Sequence, residues 1–430
     1  MLLFECERPL AGPMRISLAE CSELQIGRGS KRSCDGSLMR HVTIPDRWLS
    51  SKHAKLQNSF GRWIVTDLES KNGSVVNGDP ISRRELQDGD IVELGHTFFL
   101  FRDGQRPCER PCQDWEHFPQ GPPITLHIPL EDEVQKLERL AQTDISILIL
   151  GESGCGKEVV ANHIHACSKR SGACIAVNCG ALPAGLVESE LFGHKKGAFS
   201  GAGEERKGLV ASADKGTLFL DEIADLQPVS QAALLRVLQE REVRQVGATQ
   251  SQSVDLRTIT ATHLDIDALV QSGRFRTDLY ARISGYRITI PPLRDRPEDI
   301  GLLIAVFLLQ EKAKHGATPT LSVDVGRLLL QYNWPLNIRE LQACLATASI
   351  LAAAQQIEIH HLPESLRNYT PSAVSDAVSA DALTKARLLE LLAETKGNIS
   401  AIAREMGKDR KQIQRWLKRF EIDIQRFRTG

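Results

Sequence analysis

The chain has 430 residues, enough for about two to four domains, with 53 Lys/Arg against 54 Asp/Glu and a formal net charge of −1. That balance excludes a uniformly basic protein, and 42% apolar with 25% charged residues excludes a disordered chain. No apolar run approaches the ~18 residues of a membrane-spanning helix, and the opening MLLFECERPL has no basic segment, so neither membrane insertion nor secretion is expected.

Residues 1–103 carry short apolar runs broken by turn residues. RWIVTDL (62–68), SVVNGDP (74–80) and DIVELGHTFFLF (90–101) alternate with Asn72-Gly73, Asn77-Gly78 and Asp88-Gly89. This pattern predicts an all-β sandwich. Residues 104–122 bear prolines and no periodicity, and read as a linker long enough for docking and release of the sandwich. The ten cysteines show no disulfide framework, as expected in a reducing cytoplasm, and Cys108 and Cys112 lack the partners a zinc site needs.

From 123 the pattern changes. ISILIL (145–150) enters a Gly-rich turn followed by the helical stretch EVVANHIHACSKR, and CIAVNCG, GTLFLDEI and DLRTITATH read as further buried strands. Strands alternating with helices predict an α/β domain with a parallel sheet over 123–292. Beyond Pro291-Pro292 the chain reads as helical to 365, a smaller subdomain over 293–365. GESGCGKE, comprising Gly151, Glu152, Ser153, Gly154, Cys155, Gly156, Lys157 and Glu158, lies between a strand and a helix. In that context it is a phosphate-binding loop, with backbone N–H groups aimed at the phosphates and Lys157 reaching the β and γ oxygens. Glu158 stands where Ser or Thr usually supplies a hydroxyl to Mg²⁺, which places more of the metal on Asp221. Asp221 and Glu222 end the strand-like GTLFL; the first is placed to organise Mg²⁺, the second to orient and deprotonate water. Together these motifs predict nucleoside-triphosphate hydrolysis with Mg²⁺.

Residues 123–365 resemble the AAA+ ATPase domain of sigma-54-dependent transcription activators, in which Glu at the last P-loop place is usual. GAFSGA, with Gly197, Ala198, Phe199, Ser200, Gly201 and Ala202, is similar to the family's GAFTGA loop, which the resemblance assigns to gripping the sigma factor. RFRTDLYARIS (274–284) is similar to the arginine-finger segment, so Arg276 and Arg282 are expected to reach the γ-phosphate bound by a neighbouring subunit. YNWPLNIRELQ (332–342) is similar to the second sensor, which puts Arg339 on the nucleotide. The resemblance makes Asn178 the link between Glu222 and nucleotide state, and Thr262-His263 the first sensor. The chain departs from the pattern at His263, commonly Asn, at Leu336, normally Gly, and at Ser200, normally Thr.

After a small polar linker at 366–380, residues 381–430 carry twelve Lys/Arg against seven Asp/Glu. NISAIAREMGKDRKQIQRWLKRF (398–420) has helix-turn-helix spacing, and its second helix offers Arg410, Lys411, Gln412, Gln414 and Arg415 to DNA. It resembles the all-α Fis-type module that closes these activators. At the other end, residues 24–101 resemble a forkhead-associated (FHA) domain through Gly27-Arg28, LSSKHA (49–54) and DLESKNGSVVNG (67–78). That family binds phosphothreonine, and the matching positions are Arg28, Ser50 and Asn72, with Ser51 and Lys71 as neighbours and His53 bracing the loop.

The expectation is a multidomain cytoplasmic activator: FHA sandwich, AAA+ motor and helix-turn-helix. Its expected partners are sigma-54 RNA polymerase, enhancer DNA, a phosphothreonine protein or peptide, and further copies in a hexameric ring. Two alternatives compete with it: an AAA+ helicase or protein-remodelling ATPase, and a phosphopeptide adaptor with a decayed ATPase.

Overall fold

Alternation of apolar and polar residues builds most of the N-terminal sandwich, and two runs that break the alternation explain where the sandwich sits. The structure is a computed structural model that describes residues 1–103, 112–114, 125–183, 185–198, 204–316, 319–353, 355–369 and scattered positions from 388 to 406. It divides into two units, 1–367 and 368–430.

In the first unit, one sheet runs in the order Cys112–Asp114, Met14–Ile16, Leu2–Glu5, Thr97–Leu100, Ile91–Leu94, Ser74–Val76, Asp79–Ile81. The other runs Arg83–Glu85, Arg62–Asp67, Ala54–Ser59, Glu23–Arg28, Met39–Ile44, Ser33–Asp35. Between them Leu24, Ile26, Val42, Leu56, Val65, Val92 and Phe99 form a dry core. The strands Leu2–Glu5 and Thr97–Leu100, however, are buried at every position. Leu3 and Phe99 face the sandwich core, whereas Phe4 and Phe98 point the other way into the helical subdomain.

Two expectations need correction here. Within the stretch read as a linker, Cys112–Asp114 is an edge strand paired antiparallel with Met14–Ile16. Cys112 is also disulfide-bonded to Cys34 of the opposite sheet, where no disulfide was expected. Beside it the buried Arg32 joins Glu5 to Asp114, with Asp114 at 2.7 Å. A three-residue polar edge strand has no periodicity to read, and the pairing is between residues 78 apart.

The ATPase sheet is parallel, in the order Cys174–Asn178, Thr217–Asp221, Arg257–Thr262, Ile147–Leu150, Tyr286–Thr289. The sequence reading had the first four of these strands and missed Tyr286–Thr289. Both faces are covered. Ile147, Ile149, Phe219 and Ile259 pack under the helices Ile128–Leu140 and Lys157–Cys167. Leu148, Leu218 and Leu220 pack under Pro228–Glu240 and Thr277–Ile283. Helices Glu298–His315, Val323–Gln331 and Asn337–Leu351 then close around the fully buried Trp334, whose indole N–H donates to Leu329 O at 3.0 Å. Among the described residues no helix is long and apolar enough to cross a membrane.

In the second unit Leu388, Leu391 and Leu392 are buried at spacings suited to one helix face, and Ile402 is buried as well.

Arg257 is buried at the start of its strand and donates to Ala141 O, Thr143 O (2.8 Å) and Leu140 O (3.1 Å), where the helix Ile128–Leu140 leaves carbonyls without intrahelical donors. Arg257→Met keeps the bulk and removes those donors. It should destabilise the ATPase unit by about 2–3 kcal/mol, read as a lower urea midpoint.

Candidate nucleotide site and its neighbours

A parallel sheet gathers its functional groups where the strands end, because the loops there converge at the carboxyl edge. Ile147–Leu150 runs into Gly151, whose N–H donates to Thr262 O at 3.3 Å on the adjacent strand. Lys157 then opens its helix behind Gly156, which has φ +103°. Gly154 has φ +77°, and a Cβ there would lie 2.4 Å from Leu336 O. No side chain fits.

Lys157 is buried, and its ammonium donates to Gly151 O at 2.9 Å, Glu152 O at 3.3 Å and Glu222 Oε1 at 3.4 Å. Glu222 is the residue just beyond Thr217–Asp221, with φ +51°. Its other oxygen accepts from His263 N at 3.2 Å and bonds His263 Nδ1 at 2.7 Å. Burial alone would raise the Glu222 carboxyl, but the His263 hydrogen bond and the Lys157 charge hold it below its ordinary value. Asp221 goes the other way: burial first, then the Glu222 charge, push it upward. A half-buried carboxylate raised in this way is suited to a cation partner.

Lys157, Asp221 and Glu222 line a cavity of about 1090 Å³ together with Ser153, Cys155, Glu158, Asn178 and Arg339. Arg339 donates to Ser153 Oγ at 2.9 Å, which brings the helical subdomain onto the loop. Thr262 is buried and accepts from Leu264 N at 3.1 Å. Asn178 lies beside Asp221 in register, yet its side chain accepts from Ala181 N at 3.1 Å. The hold on Glu222 in this structure comes from His263 and Lys157, not Asn178. Leu336 has φ −102° and an exposed side chain, so the backbone there does not require glycine.

The sequence reading missed a second set of contacts. Asn337 is fully buried with φ +57° and donates to Glu152 Oε2 at 3.1 Å and Ser153 O at 3.0 Å, while its carbonyl oxygen accepts from Leu293 N at 2.8 Å. Arg294 grips both Glu152 oxygens, at 2.9 and 2.6 Å. Arg296 donates to Cys155 O at 2.6 Å. The available signal was their position beside the P-P break and in the run NIREL.

Arg276 is exposed and paired with its neighbour Asp278 at 3.0 and 2.7 Å, and Arg282 donates to Leu238 O at 3.1 and 2.9 Å. Neither lines the cavity of its own chain. Gly197, with φ +81°, and Ala198 follow the strand Gly193–His194, which pairs with Arg206–Lys207. Phe199, Ser200, Gly201 and Ala202 lie outside the described residues, as do Arg410, Lys411, Gln412, Gln414 and Arg415.

At the end of the sandwich, His53 is fully buried and ties Ser50 N (3.1 Å) to Gly73 O (3.0 Å). Ser50 Oγ accepts from Lys71 N at 3.0 Å, and Asn72 Nδ2 donates to Trp48 O at 2.7 Å. The result is a pair of braced loops that carry Ser50, Ser51, Lys71 and Asn72, with the exposed Arg28 held beside them through its N–H to Ser50 O at 2.9 Å.

Residues 125–289 match the Sigma-54 interaction domain, 294–378 the AAA+ ATPase lid domain, 24–95 the FHA domain and 379–423 a homeodomain-like domain. The transcriptional regulatory protein ZraR of Klebsiella oxytoca is 45% identical over 287 residues, covering 64% of this chain and 63% of that protein. GlrR of Escherichia coli K12 is 39% identical over 297 residues, covering 69% and 67%. The crystal structure of NtrX from Brucella abortus with ATP is 30% identical, covers 70% of this chain and 69% of that one, and superposes with a TM-score of 0.53. The chain thus spans just under two thirds of the length of ZraR.

The Glu152 contacts give a pH test. Hydrogen bonds from Arg294 and then Asn337 lower its carboxyl from the usual 4.5 to about 2. A depressed carboxylate contributes its stability in full above the unfolded value and loses it as pH falls through the folded one. The melting difference between wild type and Glu152→Gln should therefore stay constant from neutral pH down to about 5 and shrink between about 4.5 and 2. The half-exposed ion pair keeps the effect modest.

Proposed function

From its place among the sigma-54-dependent transcription activators, the family to which the chain belongs, we propose that this protein is an ATP-driven activator that remodels sigma-54 RNA polymerase from enhancer DNA. The observation that carries the reading is the joining of Lys157, Asp221 and Glu222 at one cavity with Arg339 closing over the loop. Lys157 neutralises the β and γ phosphates, and Glu222 takes the proton of the attacking water. Asp221 with the phosphates would hold Mg²⁺, which supplies charge neutralisation at the transferred group. Glu222 starts bound to Lys157 and His263, so phosphates that draw Lys157 away leave the carboxylate free to turn to water. His263 occupies the first-sensor place and positions that carboxylate.

Arg276 and Arg282 lie outside the lining of the nucleotide cavity of their own chain, which suits a role toward a neighbouring copy in a hexameric ring. Phe199 and its neighbours in GAFSGA engage the sigma factor, Arg410, Lys411, Gln412, Gln414 and Arg415 read DNA, and Arg28, Ser50, Ser51, Lys71 and Asn72 receive a phosphothreonine partner. The protein works in the cytoplasm.

Two measurements test this. Glu222→Gln should bind ATP but turn it over at least ~10²-fold more slowly, the scale of lost general-base help; near-normal turnover means another group is the base. Promoter opening by sigma-54 polymerase should require this protein and ATP together, and Phe199→Ala should cost open-complex formation far more than ATP turnover. Unchanged opening without the protein overturns the activator reading in favour of a helicase or general remodelling ATPase.

A further inference from the structure

An antiparallel sheet with one solvated face shows alternating apolar and polar residues; a strand apolar on both faces needs a second cover. Leu2–Glu5 and Thr97–Leu100 are such strands, and the cover is the lid. Phe4, Cys6 and Phe98 share one buried cluster with Ile300, Ile304, Val325 and Leu329. Leu2 and Leu100 share another with Leu302 of the lid and with Leu126, which lies in the α/β subdomain just before the helix Ile128–Leu140. The two layers meet at glycines inside lid helices. A Cβ on Gly301 would stand 3.2 Å from Phe4, and one on Gly326 would stand 2.4 Å from Cys6 Sγ and 2.9 Å from the Phe98 ring. Helix-interior glycine is unfavourable relative to alanine, and here it admits the sandwich to backbone distance.

Polar contacts fix the register. Leu321 N donates to Cys6 O at 2.9 Å, Arg327 holds both Glu93 oxygens at 2.9 Å, and Arg102 pairs with the buried Glu298 at 3.2 Å. This is the packing of a domain interior: apolar and closely fitted, with its charges paired.

We propose that the sandwich is a permanent structural part of the lid, so that its loop end and Arg339 move as one body, rather than a sensor that docks on the ATPase and leaves. Building on the phosphothreonine reading above, a ligand at Arg28, Ser50 and Asn72 then acts by shifting the lid on the P-loop, where Asn337 and Arg339 contact Glu152 and Ser153. The separate question of permanence needs no phosphopeptide.

The test uses the full chain with a specific protease site placed between residues 115 and 124, beyond the edge strand Cys112–Asp114 so that this strand stays with the sandwich, cleaved under reducing conditions. The two fragments should stay together through gel filtration at submicromolar concentration; separation overturns the proposal. In the cleaved protein Arg327→Ala should weaken reassociation about tenfold, the scale of losing a partly buried paired charge; unchanged reassociation also counts against it. Gly326→Ala in the intact chain gives a sign test. In a helix free of the sandwich the change raises the melting temperature, whereas pressed against Cys6 and Phe98 it lowers it and weakens ADP binding severalfold. A raised melting temperature with unchanged ADP binding means the faces are apart in solution.

Discussion

The lid and the phosphate loop are fitted at backbone distance, and much of the ATPase geometry depends on that fit. Gly154 leaves no space for a side chain because Leu336 O occupies it, and Ile338 N donates to Gly154 O at 3.0 Å. The buried Asn337 satisfies its amide on both sides of the seam, since an unpaired amide there would be costly. Loop conformation and lid orientation are therefore one variable. Any movement that carries Arg339 away from Ser153 also strains the turn that aims N–H groups at phosphate.

Electrostatics divide the labour of the acidic pair. Two adjacent carboxylates at one strand end are driven in opposite directions, Asp221 up by burial and its neighbour's charge, Glu222 down by His263 and Lys157. Pairs whose environments separate them in this way take different chemical roles. With left-handed backbone at Glu222, its side chain reaches His263, which lies just beyond the end of the neighbouring strand Arg257–Thr262. Asn at 263 could keep a hydrogen bond through its amide but would lack the imidazole ring.

Much of this was legible in the sequence because the signals were local. A strand, a Gly-rich turn and a helix start within a few residues place Lys157 without help from the rest of the chain, and GTLFLDE places the carboxylates. The Asn-Gly turns and alternating runs likewise gave the sandwich. What escaped depended on distance along the chain. The fifth strand Tyr286–Thr289 is four residues long and reads weakly alone; it exists because Ile147–Leu150 needs a second neighbour. Asn337 and Arg294 matter only once the lid folds over Glu152. The edge strand Cys112–Asp114 is defined by its partner rather than by its own residues. The runs LLFE and TFFL did carry a readable message, since apolar residues on both faces call for a second cover, but not what the cover would be.

That shared core has a consequence for how the chain can be divided. Cutting at the apparent domain boundary near residue 103 would leave Leu302, Leu321, Val325 and Leu329 facing water on one fragment and Leu2, Phe4, Phe98 and Leu100 on the other. Contiguous apolar patches of that kind are what drive soluble proteins to self-associate. An isolated ATPase fragment would then tend to clump through its lids, by a sticky surface that the sandwich covers in this structure.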